Sequence, residues 1–144
     1  MDHTEYAPPK EITELTSWKI GLLANIARNA VSKRMHAEKI RRDHATVLAK
    51  LSESGPLSQA DLSRALWIDP SDLHAVLNDL EAGGHVARMR DENDKRRNLI
   101  ELRPSGSALH KRLAKAIQTA QAEILAPLTK AETKQFEALL AKLV

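Results

Sequence analysis

Residues 58–84 read SQADLSRALWIDPSDLHAVLNDLEAGG, and residues 86–102 read VARMRDENDKRRNLIEL. Ser58 with Asp61 three residues on has the shape of a helix N-cap. A helix therefore opens at about residue 59 and runs to 66, burying Leu62 and Leu66. Trp67–Ile68 make a short turn. Asp69–Pro70–Ser71–Asp72 is a stronger start signal, because Asp69 can cap and Pro70 suits the first helical position. Leu73, Val76, Leu77 and Leu80 then recur at helical spacing. Gly83–Gly84 ends this helix near residue 82, since a left-handed C-cap costs glycine least. The period next shortens to two: Val86, Arg88 and Arg90 share one strand face, Ala87 and Met89 the other. A polar loop separates this strand from a second one, Arg97–Leu102, so the pair forms a hairpin.

Two short helices joined by a tight turn, then a hairpin, describe a winged helix-turn-helix over residues 41–103. A helix over 70–82 is about 20 Å long at 1.5 Å per residue, and a B-DNA major groove admits a helix. The hairpin would project beside it and carry cations to phosphate, where counterions are released.

The flanks are helical. Leu15, Trp18, Leu22, Ile26 and Ala30 mark one amphipathic helix over about 12–36, in which Trp18 is in phase with the buried stripe. Val47, Leu48 and Leu51 mark a second over 41–54, stopped at Gly55–Pro56. Pro104–Ser105–Gly106 opens a long helix with Leu109, Leu113, Ile117 and Ile124 inward, and Pro127 breaks it. Thr129 and Glu132 form a capping box for a last helix carrying Phe136, Leu139, Leu140 and Leu143. The expected fold is mainly α with a small β-hairpin wing, in a single domain over 1–144.

Composition narrows the function. The chain has 144 residues and no cysteine, which removes disulfides, thiolate metal sites and thiol-oxidation sensing. With two Trp, one Tyr and one Phe it lacks a stacking platform for single-stranded nucleic acid. A net charge of +3 points mildly to a polyanion. Its distribution says more: Arg28, Lys33, Arg34, Lys39, Arg41 and Arg42 stand against Glu38, and a second basic group is Arg88, Arg90, Lys95, Arg96, Arg97 and Arg103. No membrane span or secretory signal is legible, so a cytoplasmic location is expected. The six histidines contain no close pair, and no metal site or cofactor is expected. Phosphate-cradling glycine loops and the nucleophile and metalloprotease motifs are missing, so no enzyme is expected.

Gly84–His85–Val86–Ala87–Arg88, then Asp94–Lys95–Arg96–Arg97, then Leu102–Arg103–Pro104–Ser105–Gly106 resemble the signature of the MarR family of transcriptional regulators. Leu57–Leu62 followed by Asp69–Ser71 also fits that family's helix-turn-helix. The resemblance covers nearly the whole chain. It implies a homodimer joined by the helices over 12–36 and 104–144, with two winged domains on a pseudo-palindromic operator in double-stranded DNA. It also implies that Asp94 pairs with a nearby arginine to hold the wing and that Arg96 reaches the minor groove. A small phenolic or aromatic effector, whose contacts the sequence leaves unknown, would release the DNA.

Three positions depart from the family pattern. Trp67 stands where glycine is usual, and tryptophan does not adopt positive φ cheaply, so a different turn is expected. Both tryptophans read as packing residues. Arg103 replaces the usual threonine, so that N-cap is lost or moved. The third departure is electrostatic. Residues 69–84 contain Asp69, Asp72, Asp79 and Glu81 and no Lys or Arg. DNA-reading residues on this helix must then be neutral: Ser71, His74, Ala75 and Asn78 share the outward face, Asn matching adenine and Ala a thymine methyl. Arg88, Arg90, Asp94, Lys95, Arg96 and Arg97 complete the expected DNA-binding set. The same acids motivate an alternative, a winged domain that binds protein and not specific DNA.

Overall fold

A computed structural model describes residues 8–92, 94 and 97–144. The chain forms α1 (Lys10–Thr13), α2 (Thr16–Ala37), α3 (Arg42–Ser54), β1 (Leu57–Ser58), α4 (Gln59–Leu66), α5 (Pro70–Ala82), β2 (Val86–Arg90), β3 (Asn98–Leu102), α6 (Pro104–Leu125) and α7 (Lys130–Leu140). It divides into two compact units, Ser32–Gln118 and Met1–Val31 with Thr119–Val144. The mainly helical winged fold read from the sequence is the fold observed.

The Ser32–Gln118 unit holds the core. Leu48 and Val47 of α3, Leu62 of α4, and Leu73 and Leu77 of α5 are wholly buried. Val86, Ile100, Leu109 and Leu113 join them from the sheet and α6. Local chemistry sets the helix ends. The Ser58 hydroxyl accepts from the Asp61 N–H at 3.1 Å, and Asp69 Oδ1 accepts from the Ser71 N–H at 2.8 Å. Gly55 takes φ 76° at the end of α3, a conformation glycine adopts without penalty.

The wing is more than a hairpin. β2 and β3 pair antiparallel with Arg88 opposite Ile100 and Arg90 opposite Asn98. The two-residue β1 adds a third strand on the other side of β3, Leu57 opposite Ile100, giving the order β1-β3-β2. This pairing ties the entry to α4 directly to the wing.

Trp67 corrects two expectations. It adopts φ 56°, ψ 37° at the C-cap of α4, so the turn keeps the left-handed conformation with tryptophan in place of glycine. The Ser63 hydroxyl donates to the Ile68 carbonyl at 2.7 Å, and the Ile68 N–H donates to the Ser63 carbonyl, which holds the turn closed. Nor is Trp67 a packing residue, since its side chain is 94% exposed.

α6 starts close against the α5–β2 link. The Arg103 N–H donates to the His85 carbonyl at 2.9 Å and the Ser105 hydroxyl to the Gly84 carbonyl at 2.6 Å. A Cβ at Gly106 would lie 2.1 Å from the His85 carbonyl oxygen. That approach explains why a glycine stands four residues after Leu102. Gly106→Ala must push two backbone segments apart, and its expected cost is about 2–3 kcal/mol in urea denaturation.

In the other unit the helix expected over 12–36 is two, α1 and α2, separated by Glu14 and Leu15. Thr13 Oγ1 donates to the Lys10 carbonyl, the kind of local bond that competes with helix propagation. The apolar stripe is largely uncovered within the chain: Leu15, Leu22 and Ile26 are 43–53% exposed. Ile20, Leu139 and Leu143 of the same unit are also exposed. Thr129 and Glu132 form the full capping box at α7. Among the described residues no helix is long and apolar enough to cross a membrane.

Candidate nucleic-acid interface

α5 buries Leu73, Val76, Leu77 and Leu80 against the core. At about 100° per residue the opposite face then carries Ser71, His74, Ala75 and Asn78, and all four are exposed. These four are uncharged, and Asp72 and Asp79 border them on one side and Glu81 on the other.

Two of the acids of this segment, Asp79 and Glu81, have cationic partners, and Asp69 is bonded to Ser71. Asp69 is the N-cap, and the Ser71 hydroxyl and N–H, donating to its carboxylate, hold its pKa below the ordinary value. Asp79 Oδ2 lies 3.1 Å from His44 Nε2, whose side chain is only 5% exposed, and 3.5 Å from Arg41. Glu81 is paired with Arg88. Each such exposed pair adds little stability. Their larger consequence is that two of the four negative charges of this segment, Asp79 and Glu81, are offset by neighbouring cations. His44 reaches Asp79 from α3 and Arg41 from the residue before it, so Arg41 has a structural task within the 28–42 basic run.

The wing residues fall into two groups. Arg88 donates from Nη2 to Asn78 Oδ1 at 2.8 Å while its Nη1 pairs with Glu81. It thus orients Asn78 and leaves the amide NH2 as the donor which that side chain offers. Arg97 Nη2 donates to Asp61 Oδ2 at 2.7 Å and to Ser58 Oγ at 3.2 Å. The Arg97 N–H donates to the Asp94 carbonyl at 2.8 Å, and its carbonyl accepts from the Asp91 N–H. Arg97 and Asp61 therefore tie the wing base to the first turn of α4. Arg90 is exposed at the end of β2. Lys95 and Arg96, expected at the wing tip, lie outside the described residues.

Sequence reading missed the double role of Asp61. As the third residue of α4 it accepts the Ser58 hydroxyl at 2.6 Å, and it also binds Arg64 and Arg97. The cap was visible, but the Arg97 partnership, across 36 residues, was not. The hydrogen bond from Ser58, then that from Arg64, lowers the Asp61 pKa below its usual value of 3.8. A carboxylate whose folded pKa is depressed contributes stability above its unfolded pKa and loses it as pH falls through the folded value. Asp69 and Glu132, both at caps, have the same sign. The midpoint of urea unfolding is expected to fall below about pH 4, and to fall less steeply in Asp61→Asn. A flat midpoint down to pH 3 would contradict these assignments.

Comparison with known proteins agrees with this geometry. A sequence profile described as the MarR family matches residues 40–97, from the start of α3 to the wing. Over 96 residues the chain is 36% identical to the HTH-type transcriptional repressor Rv2887 of Mycobacterium tuberculosis, covering 67% of this chain and 69% of that protein. The crystal structure of that MarR family protein in complex with DNA superposes with a TM-score of 0.75 at 28% identity, covering 90% of this chain and 97% of that one. Its complex with salicylic acid superposes with a TM-score of 0.72, covering 97% and 99%. The chain belongs to the MarR family of winged helix-turn-helix transcriptional regulators.

Proposed function

We propose that this chain is a sequence-specific repressor that binds double-stranded DNA as a homodimer and is released by a small aromatic compound. The observation that carries the reading is the outward face of α5, on which Ser71, His74, Ala75 and Asn78 are exposed and uncharged and the bordering Asp79 and Glu81 already have cationic partners. Ser71, His74, Ala75 and Asn78 read base edges in the major groove. Arg90, Lys95 and Arg96 meet phosphate. Arg88 and Arg97 act mainly by positioning Asn78 and the wing, because their guanidinium groups are engaged within the chain. Asp94 holds the wing loop, with its carbonyl on the Arg97 N–H.

The helices over 12–36 and 104–144 supply the dimer interface. Support comes from the exposed stripe of Leu15, Leu22 and Ile26, which none of the described residues covers fully. The aromatic effector is inferred from the salicylic acid bound by the Mycobacterium tuberculosis relative. Its binding lowers DNA affinity by no more than its preference for the dimer state with the wrong helix spacing. The protein-binding alternative loses part of its support, since two of the four acids that motivated it, Asp79 and Glu81, are paired with cations.

Fluorescence anisotropy on the duplex upstream of the chain's own gene, against a scrambled duplex at two salt concentrations, tests the reading. Selective binding that weakens with salt is expected. Arg96→Ala should weaken it and make the slope of log affinity against log salt shallower by about one. Equal, weak binding to both duplexes would contradict specific recognition at that site, and an unchanged slope would remove Arg96 from the phosphate contacts.

A further inference from the structure

We propose that Trp67 is a DNA-contact residue, an uncharged anchor that packs its indole on the sugar-phosphate backbone beside the groove entered by α5. This rests on the DNA-binding reading above and adds to it a contact outside the recognition face and the wing.

The side chain is 94% exposed, and its backbone is held at φ 56°. A large apolar surface left in water and a left-handed non-glycine residue are each unfavourable. The Ser63–Ile68 bonds hold the turn, but among the described residues nothing covers the indole. The location gives the occupant. Trp67 stands two residues before Asp69, the N-cap of α5, and four before Ser71 on the outward face. It lines an open groove of about 500 Å³ with Arg42, Asp43 and Thr46 from the first turns of α3 and Asp69 and Asp72 from the start of α5. The N-terminus of α3, which no side chain caps, therefore opens beside the indole, and its N–H groups favour phosphate, while that of α5 is taken by the Asp69 carboxylate. Arg42 adds a cation.

Asp43, Asp69 and Asp72 on the same walls decide what kind of contact is made. A lysine or arginine at position 67 would be drawn to those carboxylates. An indole is not, so it can present its ring to deoxyribose and its Nε1–H to a phosphate oxygen. Such a contact neutralises no phosphate charge and carries no base information. It should strengthen specific and non-specific binding alike without steepening the salt dependence.

The test uses the full chain and a 30-base-pair duplex of arbitrary sequence at low salt, with the upstream duplex alongside. In Trp18→Phe, Trp67 is the only tryptophan, and its emission should be quenched on addition of either duplex. Trp67→Ala and Trp67→Gly should each weaken binding to both duplexes about tenfold, with the salt slope unchanged. Trp67→Gly should do so with a melting temperature equal to or above that of the parent, because glycine relieves the left-handed turn. Trp67→Phe should recover most of the affinity. If the parent binds duplex while Trp67 emission stays constant and the variants bind within twofold of it, this inference fails and the DNA-binding reading stands. If the parent binds neither duplex, both fall. A shallower salt slope in Trp67→Ala, or a change in its oligomeric state, would also overturn the neutral backbone contact.

Discussion

Leu22→Glu combined with Ile26→Glu is expected to turn the protein into a monomer and to lower its affinity for operator DNA roughly 100-fold or more. These side chains are 43% and 48% exposed on one chain, in phase on α2. Apolar side chains at that spacing make a stripe that water covers at a cost and a second copy removes. Two carboxylates in such an interface would be desolvated without partners. A monomer keeps one α5 and one wing, so it loses the advantage of two linked contacts, which commonly amounts to 10²–10⁴ in affinity. Light scattering measures the mass and anisotropy the affinity. A variant with the mass and affinity of the parent would place the dimer contact elsewhere.

The second large effect is on stability. Leu77→Ala should lower the unfolding free energy by about 3–4 kcal/mol. Leu77 has no exposed surface and lies on the inner face of α5, at the centre of the Ser32–Gln118 core. Domains are commonly stable by about 5–15 kcal/mol, so this change takes away a large part of the total. Asn78, the next residue, faces out, and Asn78→Ala should leave the urea midpoint nearly unchanged while reducing DNA affinity. A loss below about 1 kcal/mol for Leu77→Ala would show that the core collapses around the site.

What the sequence made legible was local. The caps at Ser58, Asp69 and Thr129 depend on residues two or three apart, and each is found where the side-chain chemistry requires it. The inner face of α5 follows from a period that only one helix satisfies. The missed features are non-local. β1 has two residues, too few for any alternation, and exists only because Ile100 and Leu99 lie opposite. The partners of Asp79 and Glu81 come from α3, from the residue before it and from β2, so these two charges are offset only in the fold. Arg97 stands in a basic run, and its partner Asp61 in α4 is 36 residues away in sequence, which no local pattern shows. The stripe of α2 shows a face that needs cover, but periodicity does not say whether the cover comes from the same chain. Trp67 was judged by what tryptophan costs in a left-handed turn, and the fold accepts that cost.

The central claim, a symmetric dimer reading duplex DNA with two copies of α5, is tested most directly by selection from a pool of random duplexes and sequencing of those retained. An inverted repeat with half-site centres about one helical turn apart, ~34 Å, is the expected result. Asn78→Ala should then relax one symmetric pair of positions within it. No enrichment over the starting pool, or a single asymmetric site, would contradict the account.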